Sequence, residues 1–166
     1  MALDATIGGL TSNSYATVAE AEAYFSDRAF ATAWDNSEVQ DQLLVTATSL
    51  LEWYVKWKGT KVLSTQALHW PATGAERANG VAIIEDDVPY EVKVAVFELV
   101  LASAAADRTS EDPLAGIESL KVASLAIKSA EIGSSKGKKV IPEKIWKILS
   151  DFCYKSGGGT VWLMRG

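Results

Sequence analysis

The chain has 166 residues, of which 48% are hydrophobic and 22% charged, and its net charge is −5. This length and composition predict one folded domain with a sizeable core and exclude global disorder. The single cysteine, Cys153, excludes an intrachain disulfide framework. No apolar run approaches the ~20 residues of a membrane span, and we expect neither a signal peptide nor a membrane partner.

The charge is distributed unevenly along the chain. Residues 1–115 hold 7 Lys+Arg and 17 Asp+Glu, whereas residues 116–166 hold 9 Lys+Arg and 4 Asp+Glu. This polarity indicates that unlike surfaces meet, either between copies of the chain or with a partner. A solvated acidic face beside a lysine-rich loop explains it equally well. The overall acidity argues against a dedicated nucleic-acid binder.

The chain begins with turn-forming residues, so an extended N-terminal arm is predicted over residues 1–16 and a helical domain over 17–156. Thr17 and Glu20 have the spacing of a capping box and predict a first helix that reaches about Phe30. Ser37 and Gln40 predict a second box and a second helix that extends to Trp57.

Residues 60–87 lack periodicity and are predicted to be irregular. Pro89 stands near the predicted start of a third helix that ends at about Asp107, and Pro142 opens a fourth. Between these helices the apolar residues alternate with a period close to two, which predicts a β-hairpin at about residues 117–132. The fold class is therefore mainly α: a small bundle of about four helices with one hairpin and extended N- and C-terminal segments.

The C-terminal tail, residues 157–166, is the most distinctive segment. Its glycine triplet predicts a hinge, and the apolar run beyond it predicts docking on another chain. The predicted hinge comprises Gly157, Gly158 and Gly159, and the predicted docking residues are Val161, Trp162, Leu163, Met164 and Arg165. The alternative is that the tail folds back on its own body as an edge strand.

No constellation of nucleophile, base and acid is visible, so we expect no enzyme, no catalytic residues, no cofactor and no metal. The only histidine, His69, is interpreted as a packed or surface loop residue, and Cys153 as a buried thiol. Helix capping explains the acids of residues 85–87. The basic loop with Lys136, Lys138 and Lys139 lacks the order of a phosphate-binding loop, and a DNA-facing role stays open.

Six tryptophans are present. Trp53, Trp57 and Trp146 fall at helical positions and are predicted to lie in the core, while Trp70 is predicted to pin its loop to the body. Single-strand binders stack bases on aromatic side chains beside positive charge. Trp53 with Lys56 and Lys58 offers that alternative.

Several stretches occur in an order that resembles one family. They are Asn13 to Phe25 (NSYATVAEAEAYF), Ala47 to Leu51, Lys58 to Lys61, Leu68 to Pro71, Val88-Pro89, and the glycine-rich C-terminal ending. Together they resemble the bacteriophage head–tail adaptor (connector) proteins, many of which carry the label DnaT-like single-stranded DNA-binding protein. The similarity covers nearly the whole chain.

The resemblance implies a structural virion protein of the neck, assembled in the host cytoplasm. Such a subunit forms a homo-oligomeric ring, usually a dodecamer, beneath the portal and leaves a channel for double-stranded DNA during genome ejection. Its C-terminal segment docks on the portal protein, and other surfaces receive the next tail component (tail tube, stopper or nozzle). The alternative function is a single-stranded nucleic-acid-binding module.

Overall fold

Five helices supply most of the regular structure in the part of the chain that the computed structural model describes. The described residues are 2–35, 39–104, 119–122, 125–128 and 140–154. In chain order the elements are α1 (Val18–Ser26), α2 (Thr32–Asp35), α3 (Gln40–Tyr54), β1 (Thr60–Lys61), β2 (Ala72–Thr73), α4 (Tyr90–Ala104), β3 (Ser119–Val122), β4 (Leu125–Lys128) and α5 (Glu143–Ile148). The predicted class, mainly α with a β-hairpin, is confirmed.

Helix α4 is the centre of the core. Its residues 95–100 are all buried, and α2, α3 and α5 pack against it. A helix that is apolar on nearly every side can be stable only when other elements surround it. Leu44 and Leu51 of α3 and Ile145 of α5 are fully or almost fully buried against this helix. The sequence predicted the helix, and its central position follows from its apolar run, residues 94–102, which Glu98 alone interrupts.

Helix α1 begins with the predicted capping box. The Thr17 hydroxyl accepts a hydrogen bond from the Glu20 amide at 3.2 Å, and the Glu20 carboxylate accepts one from the Thr17 amide at 2.8 Å. The helix ends at Ser26, which is earlier than predicted. The chain then turns sharply, and Phe30 has a φ of 63°, in the left-handed region that bulky residues rarely adopt.

The second predicted capping box is wrong. Helix α3 begins at Gln40 with Val39 as its N-cap, so Gln40 is the first helical residue and not the third, as the predicted box requires. The Gln40 side chain instead donates a hydrogen bond to the Trp34 carbonyl at 3.4 Å. Trp34 lies in α2, a short helix that the sequence did not predict.

The part of the chain that the structure describes also contains two antiparallel strand pairs. In the predicted hairpin, Leu120 of β3 pairs with Ile127 of β4, and Val122 pairs with Leu125. The second pair, β1 with β2, lies inside the segment predicted to be irregular. Each of these two strands has only two residues, which is too few for an alternating hydrophobic pattern to appear in the sequence.

Candidate partner and nucleic-acid surfaces

The site residues predicted from the sequence lie outside the described residues. These are the hinge (Gly157, Gly158, Gly159), the docking residues (Val161, Trp162, Leu163, Met164, Arg165) and the lysines of the basic loop (Lys136, Lys138, Lys139). Their roles stay predictions. The described body nevertheless presents three surfaces that could receive a partner.

One surface is organised around a buried carboxylate on α4. Glu98 is only 8% exposed, and it accepts two hydrogen bonds from the Arg28 guanidinium, at 2.7 and 3.0 Å. The Tyr24 hydroxyl donates a third at 2.7 Å, and the Lys144 ammonium lies 2.8 Å from the second carboxylate oxygen. The network therefore ties α1, the turn after it, α4 and α5 together.

The electrostatics of this network follow from its geometry. Burial alone would raise the pKa of Glu98, but hydrogen bonds from Arg28, Lys144 and Tyr24 outweigh it and lower that pKa to about 2. Burial, together with the hydrogen bond to Glu98, raises the pKa of Tyr24 to about 12. At neutral pH the carboxylate is therefore charged and the phenol is neutral.

Next to this network a groove of about 870 Å³ lies between α1 and the start of α4. Its apolar lining includes Tyr24, Tyr90, Phe97, Ile84 and Pro89. Such a groove can accept large apolar side chains, which are the usual anchors of a protein interface.

Acidic residues dominate the charged lining of the groove. Lys93 is held by Glu20 at 2.8 Å and lies 3.8 Å from Asp87, while Arg28 is held by Glu98. Asp27 also lines the groove, and among the described residues no cation pairs with its exposed carboxylate. The groove therefore combines apolar walls with a rim that has negative charge to spare.

The second surface lies where α3 ends. Trp53 is 76% exposed and Tyr54 is 51% exposed, so the prediction that Trp53 lies in the core is wrong. Tyr154, 59% exposed, donates its amide to the Lys56 carbonyl at 2.8 Å and so lies at the same end of the molecule. Three exposed aromatic residues and an exposed lysine, Lys56, thus lie at one end of the molecule, which is a chemistry suited to stacking bases.

Trp57, in contrast, is buried as predicted, although it lies beyond the end of α3. Its indole donates to Glu52 at 2.8 Å, and its ring stacks on His69 at 6.0 Å between centroids. The carboxylate of Glu52 also accepts the Tyr15 hydroxyl and the His69 amide. His69 is therefore a packed loop residue, as predicted, with its ring nitrogen 3.0 Å from the Lys58 carbonyl.

The third surface consists of aliphatic side chains on two adjacent loops. Residues 4–13 form a closed loop, because Asp4 and Asn13 exchange hydrogen bonds at 2.8 and 2.9 Å. The Ala67 amide donates to the Gly9 carbonyl at 3.0 Å and holds a second loop against the first. Together the two loops expose Ile7, Leu10, Val62 and Leu63.

The remaining reactive side chains are accounted for by packing. Cys153 is buried, which raises the pKa of its thiol, and its sulfur donates to the Leu149 carbonyl. Glu85 accepts hydrogen bonds from Thr73 and the Gly74 amide, so it fixes a turn rather than capping α4. Within the described ranges no cluster of three or more His, Cys, Asp or Glu could hold a metal, and no helix there could cross a bilayer.

Comparison with known proteins gives one family. The family described as "Putative DnaT-like ssDNA binding protein" matches residues 1–166, so the chain belongs to this family. No curated protein and no solved structure matches the chain. The family description agrees with the label that the sequence resemblance carried, and it is compatible with nucleic-acid binding.

Proposed function

We propose that this chain is a structural head-to-tail adaptor of a bacteriophage, which forms a ring beneath the portal and joins capsid to tail. The observation that carries the proposal is the acidic character of the described body. The described residues, 2–35, 39–104, 119–122, 125–128 and 140–154, hold ten Lys+Arg against fifteen Asp+Glu. A channel wall with excess negative charge does not hold DNA by its phosphates, so DNA can slide past it.

The hydrogen-bond geometry strengthens this argument. Four of the ten cations, Arg28, Arg77, Lys93 and Lys144, are paired with carboxylates. A fifth, Lys61, donates to the carbonyls of Gln66 and Ala67 at 3.1 and 2.8 Å. Half of the cations among the described residues are therefore committed to holding the fold, which reduces the positive charge left for phosphates.

The exposed apolar surfaces support an assembling subunit. The groove beside α1 and the aliphatic loops around Leu10 differ in shape and chemistry. A contact between them would therefore join unlike surfaces of two subunits rather than the same surface of both. Contacts between unlike surfaces of identical subunits are heterologous and close into rings when the rotation allows. In this proposal the tail, residues 161–165, docks on the portal, and the partners are the portal protein, further copies and the next tail component.

The test is an assembly experiment with the portal protein of the same virus. The full chain and a chain truncated before Val161 are each mixed with purified portal and imaged by negative-stain electron microscopy. We expect a ring under the portal with the full chain and bare portals with the truncated chain. Thr160→Ala is the matched control and should bind normally. Normal assembly of the truncated chain would contradict the docking role of the tail.

A second candidate function, single-stranded nucleic-acid binding, is favoured by the exposure of Trp53 beside Tyr54, Tyr154 and Lys56. Stacking on such a platform contributes ~1–3 kcal/mol per base, and the phosphate contacts make binding weaken with salt. A labelled deoxythymidine oligonucleotide should then bind at low salt and lose affinity in Trp53→Ala, but not in the control Phe30→Ala. Absence of binding at low salt removes this candidate.

A further inference from the structure

We propose that the groove between α1 and α4 binds the C-terminal segment of its own chain, residues 161–165, until the portal takes that segment away. The inference rests on the proposed function, because it concerns the tail that would dock on the portal. It adds a second binding site for the tail and a reason why the free subunit does not expose an apolar segment.

The chemistry of the groove matches the sequence of this segment. The segment offers Trp162, Leu163 and Met164, followed by Arg165. The groove offers aromatic and aliphatic walls of ample volume, about 870 Å³, for the three large side chains. Tryptophan and arginine are the side chains that most often anchor an interface in such pockets.

Charge complementarity fixes the orientation of the segment. Both cations that line the groove, Arg28 and Lys93, are already neutralised by Glu98 and Glu20. Asp27, at the end of α1, keeps an exposed carboxylate with no cation beside it among the described residues. The Arg165 guanidinium would pair with the Asp27 carboxylate, whereas an acidic residue at position 165 would be repelled by it.

The length of the tail allows the contact within one chain. The described part ends at Tyr154, whose amide is bonded to Lys56, and the neighbouring Trp57 touches Tyr15 at 6.3 Å between ring centroids. Tyr15 and Val88 line one small cavity, and Val88 also lines the groove. One ring contact and one shared cavity therefore connect the end of the described chain to the groove, and the eight residues from 155 to 162 can span ~27 Å when extended.

The short linker also favours binding of the chain's own tail over binding of the tail of another copy. Segments joined by a few flexible residues meet at an effective concentration in the millimolar range, provided that the linker spans the sites. A second copy at micromolar concentration competes poorly with this. The contact stays reversible because it is non-covalent, and a partner that binds the tail more tightly can displace it.

Disulfide trapping tests the inference on the full chain. In a Cys153→Ala background, Ala23→Cys, which lines the groove, is combined with Leu163→Cys. We expect an intramolecular disulfide that forms about tenfold faster than in the control pair Thr46→Cys with Leu163→Cys, which lacks the groove contact. Asp27→Lys or Trp162→Ser added to the first pair should slow its formation toward the control rate, and circular dichroism checks that each variant is folded.

The outcomes separate this inference from the proposed function. Disulfide-linked dimers, or equal rates for the two cysteine pairs, overturn the contact within one chain. Rapid trapping in a chain that never binds portal overturns the adaptor role alone. Portal binding through the tail without trapping overturns this inference alone. Portal added to the first pair should reduce trapping, and unchanged trapping in the assembled complex would contradict the exchange.

Discussion

Glu98 and Arg28 form a two-pronged ion pair, in which both oxygens of a nearly buried carboxylate accept hydrogen bonds from one guanidinium at 2.7 and 3.0 Å. The pair joins the central helix α4 to the turn that follows α1. Arg28 also donates to the carbonyl of Ala29 at 2.6 Å, so the same guanidinium fixes the backbone just before Phe30. One interaction thus sets both the packing of the core and the shape of the groove.

Replacement of Glu98 should destabilise the fold strongly. Glu98→Gln leaves the Arg28 guanidinium without its charged partner, and breaking a buried ion pair costs about 3–5 kcal/mol. Because Arg28 is partly exposed, we expect the lower part of this range, about 3 kcal/mol, in the free energy of unfolding measured by urea denaturation. Glu91→Gln, which removes the half-exposed pair with Arg77, is the control and should cost less than about 1 kcal/mol. Equal losses in the two variants would contradict the structural role of Glu98.

The same carboxylate predicts how stability depends on pH. The pKa of Glu98 is about 2 in the folded protein and 4.5 when unperturbed, so its contribution is fully present above the unfolded value. The contribution is lost as the pH falls from about 5 to about 2, because the unfolded chain then binds the proton more readily. Urea midpoints of the wild type and Glu98→Gln should therefore converge over this range. A constant difference between the two midpoints down to about pH 2 would show that the Glu98 carboxylate does not cause the pH dependence of stability.

Truncation of Trp57 should destabilise the protein far more than truncation of Trp53. Trp57 is buried, stacks on His69 and donates to Glu52, so Trp57→Ala should lower the free energy of unfolding by about 3–4 kcal/mol. Trp53 is mostly exposed, so Trp53→Ala should change it by less than about 0.5 kcal/mol. Urea denaturation followed by far-ultraviolet circular dichroism measures both. A large loss in Trp53→Ala would mean that its side chain packs against the body.

The contrast between these two tryptophans shows which features of the fold could be predicted from the sequence. Periodicity placed α1, α3, α4 and α5 because each has a long apolar face or a capping signal. It failed at Trp53, which it placed in the core together with Trp57. The helix ends at Tyr54, and the extended residues that follow bring Trp57, but not Trp53, into the core. A period of 3.6 cannot tell where a helix ends when no glycine or proline stands at the boundary.

The groove could not be predicted from the sequence, for a related reason. It depends on contacts between residues about 70 positions apart, such as Tyr24 and Arg28 with Glu98. One signal was available: Glu98 is a lone acid within the apolar run of α4, and a buried charge requires partners. The sequence does not identify those partners, because Arg28 and Lys144 lie in other elements.

Phe30 should be a site where substitution stabilises the protein. Its φ of 63° costs a bulky residue roughly 1 kcal/mol, and its side chain is 93% exposed, so it recovers little by packing. Asparagine tolerates this conformation better, and Phe30→Asn should therefore raise the free energy of unfolding by about 0.5–1 kcal/mol. Thermal and urea denaturation measure the change, with the exposed Tyr90→Asn as the control, where α4 begins and no such gain is expected. A loss of stability in Phe30→Asn would show that the phenyl ring makes contacts that offset its backbone strain. A gain in stability together with weaker assembly on the portal would mean that the strained, exposed ring is retained for binding a partner.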